Sequence, residues 1–439
     1  MNIAHEAGRA APYVVAMRRY FHEHPELPNQ EDATLRRVGE ELKRMGIPWE
    51  EIPGGGLMGF LQGTHPGKGK TVLLRADVDA LPVQENPHNL AQPRVCISQT
   101  PGVMHACGHD GHTAILLGAA KILSEHREQV AGQVLLLFER GEERGSGIPQ
   151  VLAYLDQRGI RADTCYGTHL VSILDAGKIA LNEGYTMSTE MCFRLTIHGK
   201  NGHVARPDLA NSPIDCFAAL YSALQNYRLT QVSPFQVFTF AVGQLQAGTI
   251  ANTIPDSLFF AGSARVFDRE RVGVPFRRYL ETTAQEIAAA HGCTLEYNSL
   301  SGPAFPVYND PPCTRFARQV IGEAVGRQAV CTSEPWMASE DFSCLQALYP
   351  GVFAFVGIRN PQKGTGADHH NEYFDLDEEA LPLAVSGTVA YTLGFLQGKI
   401  DTAPRRWTRG IPALLGEIGY GEKAVREIYQ RVASAQRVL

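Results

Sequence analysis

MHACGHDGHTAILLGAAKILSEHREQVAGQVLLLF, residues 104–138, is the stretch on which the reading of this chain turns. Its second half sets the fold class. Residues 110–126 follow a helical pattern, and GQVLLLF (132–138) is a short continuous apolar run of the kind found in strands buried on both faces. Working back, TVLLRA (71–76) is another such run, and Leu35, Val38, Leu42 and Met45 recur at helical spacing. Working forward, GIPQVLAYLDQRG (147–159) reads as a helix and CYGTHL (165–170) as a third strand. Strands separated by helices are joined by crossovers, so the expected fold is α/β, a mainly parallel sheet with helices on both faces. Ligands in such sheets gather at the carboxyl ends of the strands.

The texture changes near residue 186. MCFRLTIHG (191–199), FQVFTFAVGQLQAG (235–248) and residues 256–267 alternate, with helical patterns at 212–228 and 273–291. This predicts an inserted α+β module of four strands and two helices with one sheet face bare. After residue 301 the pattern of helix, short strand (352–357) and long helix (379–397) returns. The expected layout is a discontinuous catalytic domain (1–185 and 302–400), an inserted dimerisation or lid domain (186–301) and a C-terminal helical extension (401–439). In the extension, TAPRRWTRG (402–410) reads as a basic linker and the remainder as one amphipathic helical stretch.

Composition narrows the function class. The 439 residues carry 40 basic and 46 acidic side chains, a formal charge of -6, which leaves no excess cation to neutralise a nucleic acid backbone. No apolar run reaches the ~18 residues a membrane crossing needs. The first 19 residues have only a short apolar patch followed by Arg18 and Arg19, the wrong order for a secretory signal, so a cytoplasmic protein is expected. The nine cysteines are scattered without a CxxC pair, and eight read as small buried hydrophobes. Cys107 lies in a segment too polar for packing to be its purpose.

Residues 104–112 hold His105, Cys107, His109, Asp110 and His112 just before a helix, a density expected of a transition-metal site. A polar turn with Asp110 as N-cap accounts for one histidine better than for the cluster. Glu142 and Glu143 follow the strand at 132–138, so one carboxylate can bind metal while the other moves a proton. Alone, the pair reads equally as a charged loop. His169 ends the next strand. Near the far end, His369 and His370 precede a helix, as distant ligands or as part of a capping region with Asp375 or Asp377 as cap. Asp77 and Asp79 end another strand, where a carboxylate can orient an imidazole or simply make a turn.

Taken together, RRYFHEHPEL (18–27), LRADVDALPVQE (74–85), MHACGHDGHTA (104–114), the glutamate pair, NGHVARP (201–207), ANTIPD (251–256), SEDF (339–342) and HNEYFDLDEEAL (370–381) resemble one family. It is the aminoacylase, hippurate hydrolase and indole-acetyl-amino-acid hydrolase branch of the dinuclear metallopeptidase clan that includes carboxypeptidase G, with aminobenzoyl-glutamate hydrolase a relative by pattern. The likeness spans about residues 14–398. It implies a metal-dependent amidohydrolase that cleaves N-acyl or N-aroyl amino acids with a metal-activated water. By this resemblance Cys107, His109, Glu143, His169 and His370 hold two divalent metals, manganese or zinc first and cobalt or nickel as alternatives, with the Cys107 thiolate bridging. The family ligand stands four residues before an aromatic, Phe374 here, which selects His370 over His369. Glu142 is implied as general base and Asp79 as the acid behind a ligand. His203 resembles a residue sent across a homodimer interface to the oxyanion, and Asn252 and Arg265 resemble positions around the substrate carboxylate.

Departures bear on specificity. Where the family usually has Gln-Pro-Ala before the glutamates, this chain has Glu139, Arg140 and Gly141, expected to loosen the loop and recharge the rim. Asn201 replaces a Gly, Asp208 a frequent His, and residues 187–190 a small-residue stretch. A dipeptidase or carboxypeptidase of the same fold is the alternative activity, which needs a fixed acid for a free α-ammonium, with Glu139 or Glu190 as candidates. A non-catalytic binding or regulatory homologue is a third reading.

Overall fold

A computed structural model describes residues 1–67, 69–400, 402 and 407–435. Two helices open the chain, α1 (Ile3–Glu23) and α2 (Asp32–Arg44), followed by β1 (Trp49–Ile52), β2 (Gly56–Gln62), β3 (Lys70–Asp77), α3 (His109–Glu125), β4 (Gly132–Glu139), α4 (Ile148–Gln157), β5 (Thr164–Asp175) and β6 (Ile179–Ala180). Then come β7 (Gly184–Met187), β8 (Thr189–His198), β9 (Gly202–His203), α5 (Pro213–Thr230), β10 (Phe238–Ala247), β11 (Thr253–Ile254), β12 (Ser257–Val266), α6 (Val274–Ala290) and β13 (Thr294–Leu300). The chain closes with β14 (Val307–Asn309), α7 (Pro311–Val325), β15 (Val330–Cys331), α8 (Phe342–Leu348), β16 (Gly351–Arg359), α9 (Ala380–Leu396), α10 (Ile411–Glu417) and α11 (Glu422–Ala435).

The large sheet runs β1-β2-β4-β3-β5-β16-β6-β15, parallel through its centre from β4 to β16. Its strands are apolar on consecutive residues because both faces are covered. Val72, Leu74, Val134 and Leu136 pack into the layer built by α1, α3, α7 and α9, while Leu73, Leu135 and Leu137 pack beneath α4 and α8. The C-terminal helices join that second layer through Ile411, Leu414, Leu415 and Val432.

A second, antiparallel sheet runs β10-β12-β8-β13 and has its own core with α5 and α6. Along β8, Met191, Phe193, Leu195 and Ile197 are buried and Cys192, Arg194 and His198 are exposed, the alternation of a sheet covered on one face only. The chain enters this sheet after β7 and returns through β14, and β7 and β14 pair with each other, so both crossings are tied together.

Several expectations need correction. Residues 411–435 form two helices with a break at 418–421, because Gly419 and Gly421 end the first and free the chain to turn; residues 403–406 of the expected basic linker lie outside the described residues. Cys192 is exposed and Cys331 half-buried, since each lies on a strand whose outer face meets solvent. Asp110 is not the N-cap of α3; Gly108, in the left-handed region at φ 87°, occupies that position and Asp110 is buried in the first turn. Neither Asp375 nor Asp377 caps α9, which starts after Glu379.

Candidate active site

The central strands β3, β4 and β5 run parallel, with Asp77 in register with Glu139, so the segments leaving their carboxyl ends emerge on one rim. Asp79 lies just beyond β3, Glu142 and Glu143 lie in a single helical turn after β4, and His169 lies on β5. The start of α3 delivers Cys107 and His109 to that rim from either side of the left-handed Gly108. His370 arrives from a long loop; its backbone is itself left-handed, at φ 61°, and its N–H donates to the Ala106 carbonyl at 2.8 Å. That bond seats His370 beside Cys107. Left-handed backbone on a residue other than glycine costs energy that surrounding structure must offset, and it clusters at functional sites.

Several sets of candidate ligand atoms result, one of them His109 with Glu142 and Glu143, and two are built on Cys107. Those of Cys107, His109 and His169 lie within 4.8 Å of one another, as do those of Cys107, Glu143 and His370. Cys107 belongs to both. Its Sγ is 3.7 Å from His169 Nε2, and Glu143 Oε1 is 3.3 Å from His370 Nε2 and 3.8 Å from His109 Nε2. The donor chemistry, thiolate, imidazole and carboxylate, suits borderline divalent cations.

Hydrogen bonds decide which histidine nitrogens are free. His169 donates through Nδ1 to the Leu170 carbonyl at 2.8 Å, which turns its Nε2 lone pair towards Cys107. His109 donates through Nδ1 to Asp79 at 3.1 Å, leaving Nε2 buried without a partner. Buried polar atoms are nearly always satisfied, so this orphan fits a cation at that place. Asp79 also accepts the Glu143 N–H at 3.0 Å and so fixes two candidate ligands at once. His112 has no nitrogen to spare, because Asp77 accepts from Nδ1 at 2.6 Å and the Leu170 N–H donates to Nε2 at 2.9 Å. His369 donates Nε2 to the Leu170 carbonyl at 2.9 Å and lies tilted against Trp336, ring centres 4.7 Å apart. His105 is buried, and burial pushes it down to about 3, so it stays neutral.

The electrostatics are those of a buried, anion-rich centre. Burial, reinforced by Glu143 and Glu142, holds the Cys107 thiol well above its ordinary value. Burial opposes protonation of His109, but Asp77, Asp79 and Glu143 win and raise it to about 10. Burial and the neighbouring His112 and His369 hold His169 well down. Glu142 is pushed well up by burial, then by Glu340, Asp341 and Glu143, so it favours the protonated form. Glu143 goes the other way, since His370 and His109 outweigh its burial.

These residues open onto a cavity of about 420 Å³. Trp336, Met187 and Ala338 give it an apolar wall, and Trp336 lies edge-on to His169 at 5.3 Å. Arg265 reaches it from β12, held at 2.7 Å by Glu190. His203 and Asn252 do not reach it. Both are exposed on the β9–β11 ribbon, where His203 pairs with Thr253.

The residues before the glutamate turn differ from expectation. Glu139 is fully buried against Arg75 at 2.8 Å, and Arg140 is buried against Glu31 and Asp32, so neither recharges the rim. Gly141 does not loosen the turn. Its N–H donates to Glu31 at 2.8 Å, and its φ of 69° is the left-handed start that the turn requires. Sequence reasoning missed the organiser behind these groups, Arg75, which bonds Asp77, Glu139 and Asp341 at 2.6–2.8 Å and lies 3.0 Å from Glu340. The adjacent acids of SEDF were the signal that could have found it. It also missed a second organiser. Arg18 and His22 of α1, from the RRYFHEHPEL segment, grip Asp110 at 2.9 and 2.8 Å and anchor the start of α3.

Comparison with known proteins agrees with this architecture. An IAA-amino acid hydrolase (ILR1-like 4) of Arabidopsis thaliana is 33% identical over 380 residues, covering 85% of this chain and 83% of the relative. Thermostable carboxypeptidase 1 of Saccharolobus solfataricus is 32% identical, covering 87% and 94%. A crystal structure of a Bacillus subtilis protein, described as a dinuclear metal binding peptidase, superposes with a TM-score of 0.71 at 29% identity, covering 89% of this chain and 99% of that one. Residues 73–391 match the model of peptidase family M20/M25/M40.

Proposed function

The chain belongs to peptidase family M20/M25/M40, and from the geometry of its cleft we propose that it hydrolyses the amide bond of N-acyl or N-aroyl amino acids, with Glu142 as general base. One observation carries the reading. A buried cysteine is shared by two ligand sets, one of which contains a histidine nitrogen lacking any partner, and a second glutamate stands beside them. Cys107, His109, Glu143, His169 and His370 would hold two divalent cations, manganese or zinc with cobalt or nickel as alternatives, which supply Lewis acidity to the scissile carbonyl and acidify the attacking water. The IAA-amino acid hydrolase relative and the dinuclear neighbour support the substrate class and the metal count.

The chain's own groups do the rest. Glu142, as the carboxylate it would be with cations in the ligand sets, takes a proton from the water and later delivers it to the leaving amine; burial beside Glu340 and Asp341 favours holding that proton between the two transfers. Asp79 keeps the His109 tautomer correct and pins the glutamate turn. Trp336 and Met187 form the apolar wall that excludes water from the reacting amide. Arg265 meets the substrate carboxylate through guanidinium N–H groups that its bond to Glu190 leaves over. We take residues 1–185 with 302–400 as the catalytic unit and 186–301 as the module that pairs two copies. His203 and Asn252 share one ribbon, tied by the Val204 N–H to the Asn252 carbonyl at 3.3 Å, and would enter the cleft of the second copy together.

The dipeptidase alternative is weaker here because it needs a free carboxylate for an α-ammonium. Glu139 is buried out of reach, and Glu190 is already neutralised by Arg265. The cation-loaded enzyme should hydrolyse acetylated, benzoylated or indole-acylated amino acids at kcat/KM values above those for simple dipeptides. Faster turnover of dipeptides across the panel would reverse the assignment.

A further inference from the structure

The cleft has a second chamber. A cavity of about 380 Å³ shares Glu142, Glu143, Glu190, Ser339 and Glu340 with the cavity beside the candidate metal ligands, so the two meet at the glutamate turn. Its volume falls within the ~300–1,000 Å³ typical of small-molecule sites. Part of its wall is contributed by Ile418 and Tyr420, in the break between α10 and α11, beyond residue 391 where the family match ends.

This wall is held in place rather than draped over the surface. Ile411, Leu414 and Leu415 are buried in the layer with α4. Glu417 accepts from Arg269 at 2.5 Å, and Arg269 also donates to the Pro303 carbonyl at 2.9 Å on the segment returning from the inserted sheet. Tyr420 donates to the Gly145 carbonyl at 3.4 Å, at the end of the glutamate turn. The appendage therefore bridges the inserted module, the return segment and the catalytic turn.

Its chemistry is divided. Glu142, Glu143, Glu190 and Glu340 stand where the two cavities meet, with Arg144 the cation among the lining residues, whereas Phe305, Ile148, Cys344 and Ile418 give the chamber an apolar part. A group entering from the scissile carbonyl passes carboxylates that disfavour a second one and meets apolar side chains that reward burial of hydrocarbon.

We propose that this chamber is an acyl subsite closed by the C-terminal appendage, with Ile418 and Tyr420 setting the length of apolar acyl chain the enzyme accepts. The proposal rests on the N-acyl amino acid reading, and two readouts separate their failures. Full-length, cation-loaded wild type, Ile418→Trp, Ile418→Ala and Tyr420→Phe are compared on one amino acid N-acylated from acetyl to decanoyl. Straight-chain carboxylic acids of the same lengths are titrated calorimetrically. Ile418→Trp should lower the long-to-short ratio of kcat/KM by about tenfold or more, mainly through KM, and move the tightest-binding acid to a shorter chain. Ile418→Ala should move both the opposite way. Tyr420→Phe keeps the ring in the wall and should keep the wild-type length profile, which a loss acting through the Gly145 bond would not. If no acylated amino acid is turned over, the functional reading fails and the acid titration still decides the wall. Identical length profiles in wild type, Ile418→Trp and Ile418→Ala, or a response confined to the size of the amino acid's own side chain, would overturn the proposal.

Discussion

Cys107 shows what one residue contributes. Buried and facing two carboxylates, it holds its proton far more tightly than a free thiol, so only cations nearby make the thiolate favourable. His109, raised to about 10, must also give up a proton before Nε2 can ligate. Cation binding therefore releases protons, and affinity should rise with pH across the neutral range; a flat profile by competition with a chelator would contradict this. Cys107→Ala should empty at least one cation position by elemental analysis. Glu142→Gln should lower kcat by about 10²–10⁴ with cation content unchanged, as expected for loss of a general base. Loss of cations instead would mean that Glu142 and Glu143 have exchanged roles.

The ends of β3 and β4 illustrate the scale of elements. Parallel register sets Asp77 beside Glu139, and Arg75 must then satisfy both together with Asp341 and Glu340. Arg75 is shared among four carboxylates, of which Asp77 is also held by His109 and His112. Burial raises Glu139 to about 7, against Arg75 but with help from Glu340 and Asp77. Its folded value thus lies above the unfolded 4.5, so folding favours the protonated form and stability is lost as pH rises between those values. Glu139→Gln should be neutral near the lower value and stabilising above the upper one, by up to about 3 kcal/mol. Urea unfolding at a series of pH values measures this; a variant less stable at high pH would contradict it. The expectation of a loosened glutamate loop failed for a related reason. Gly141 and Arg140 are gripped by Glu31, on a segment more than a hundred residues earlier, which no local pattern reveals.

At the scale of the whole molecule, the inserted sheet leaves β10 as an open edge and β8 with one uncovered face, while His203 stands away from its own cleft. Pairing two copies would cover the sheet and complete both sites. His203→Ala should lower turnover by about 10²–10³ with cations retained, the usual effect of losing an oxyanion donor. Mixed dimers of that variant with Glu142→Gln should regain activity, because one of their two sites then receives both intact groups. No recovery in verified heterodimers would end the cross-chain role.

Element order, the parallel sheet with its antiparallel insert, and the rim on which acids and histidines collect were legible in the sequence, because periodicity and strand ends are local properties. RRYFHEHPEL was visible as a string, but its work in anchoring Asp110 was not, since that contact joins α1 to α3. The sequence by itself determined the chemistry available and its place at the carboxyl ends of the strands. Only the tertiary structure decided which histidine nitrogens remain free, which carboxylates lie buried around Arg75 and where the C-terminal appendage rests. Availability of a polar atom depends on partners supplied by distant segments, and those partners exist only once the chain is packed.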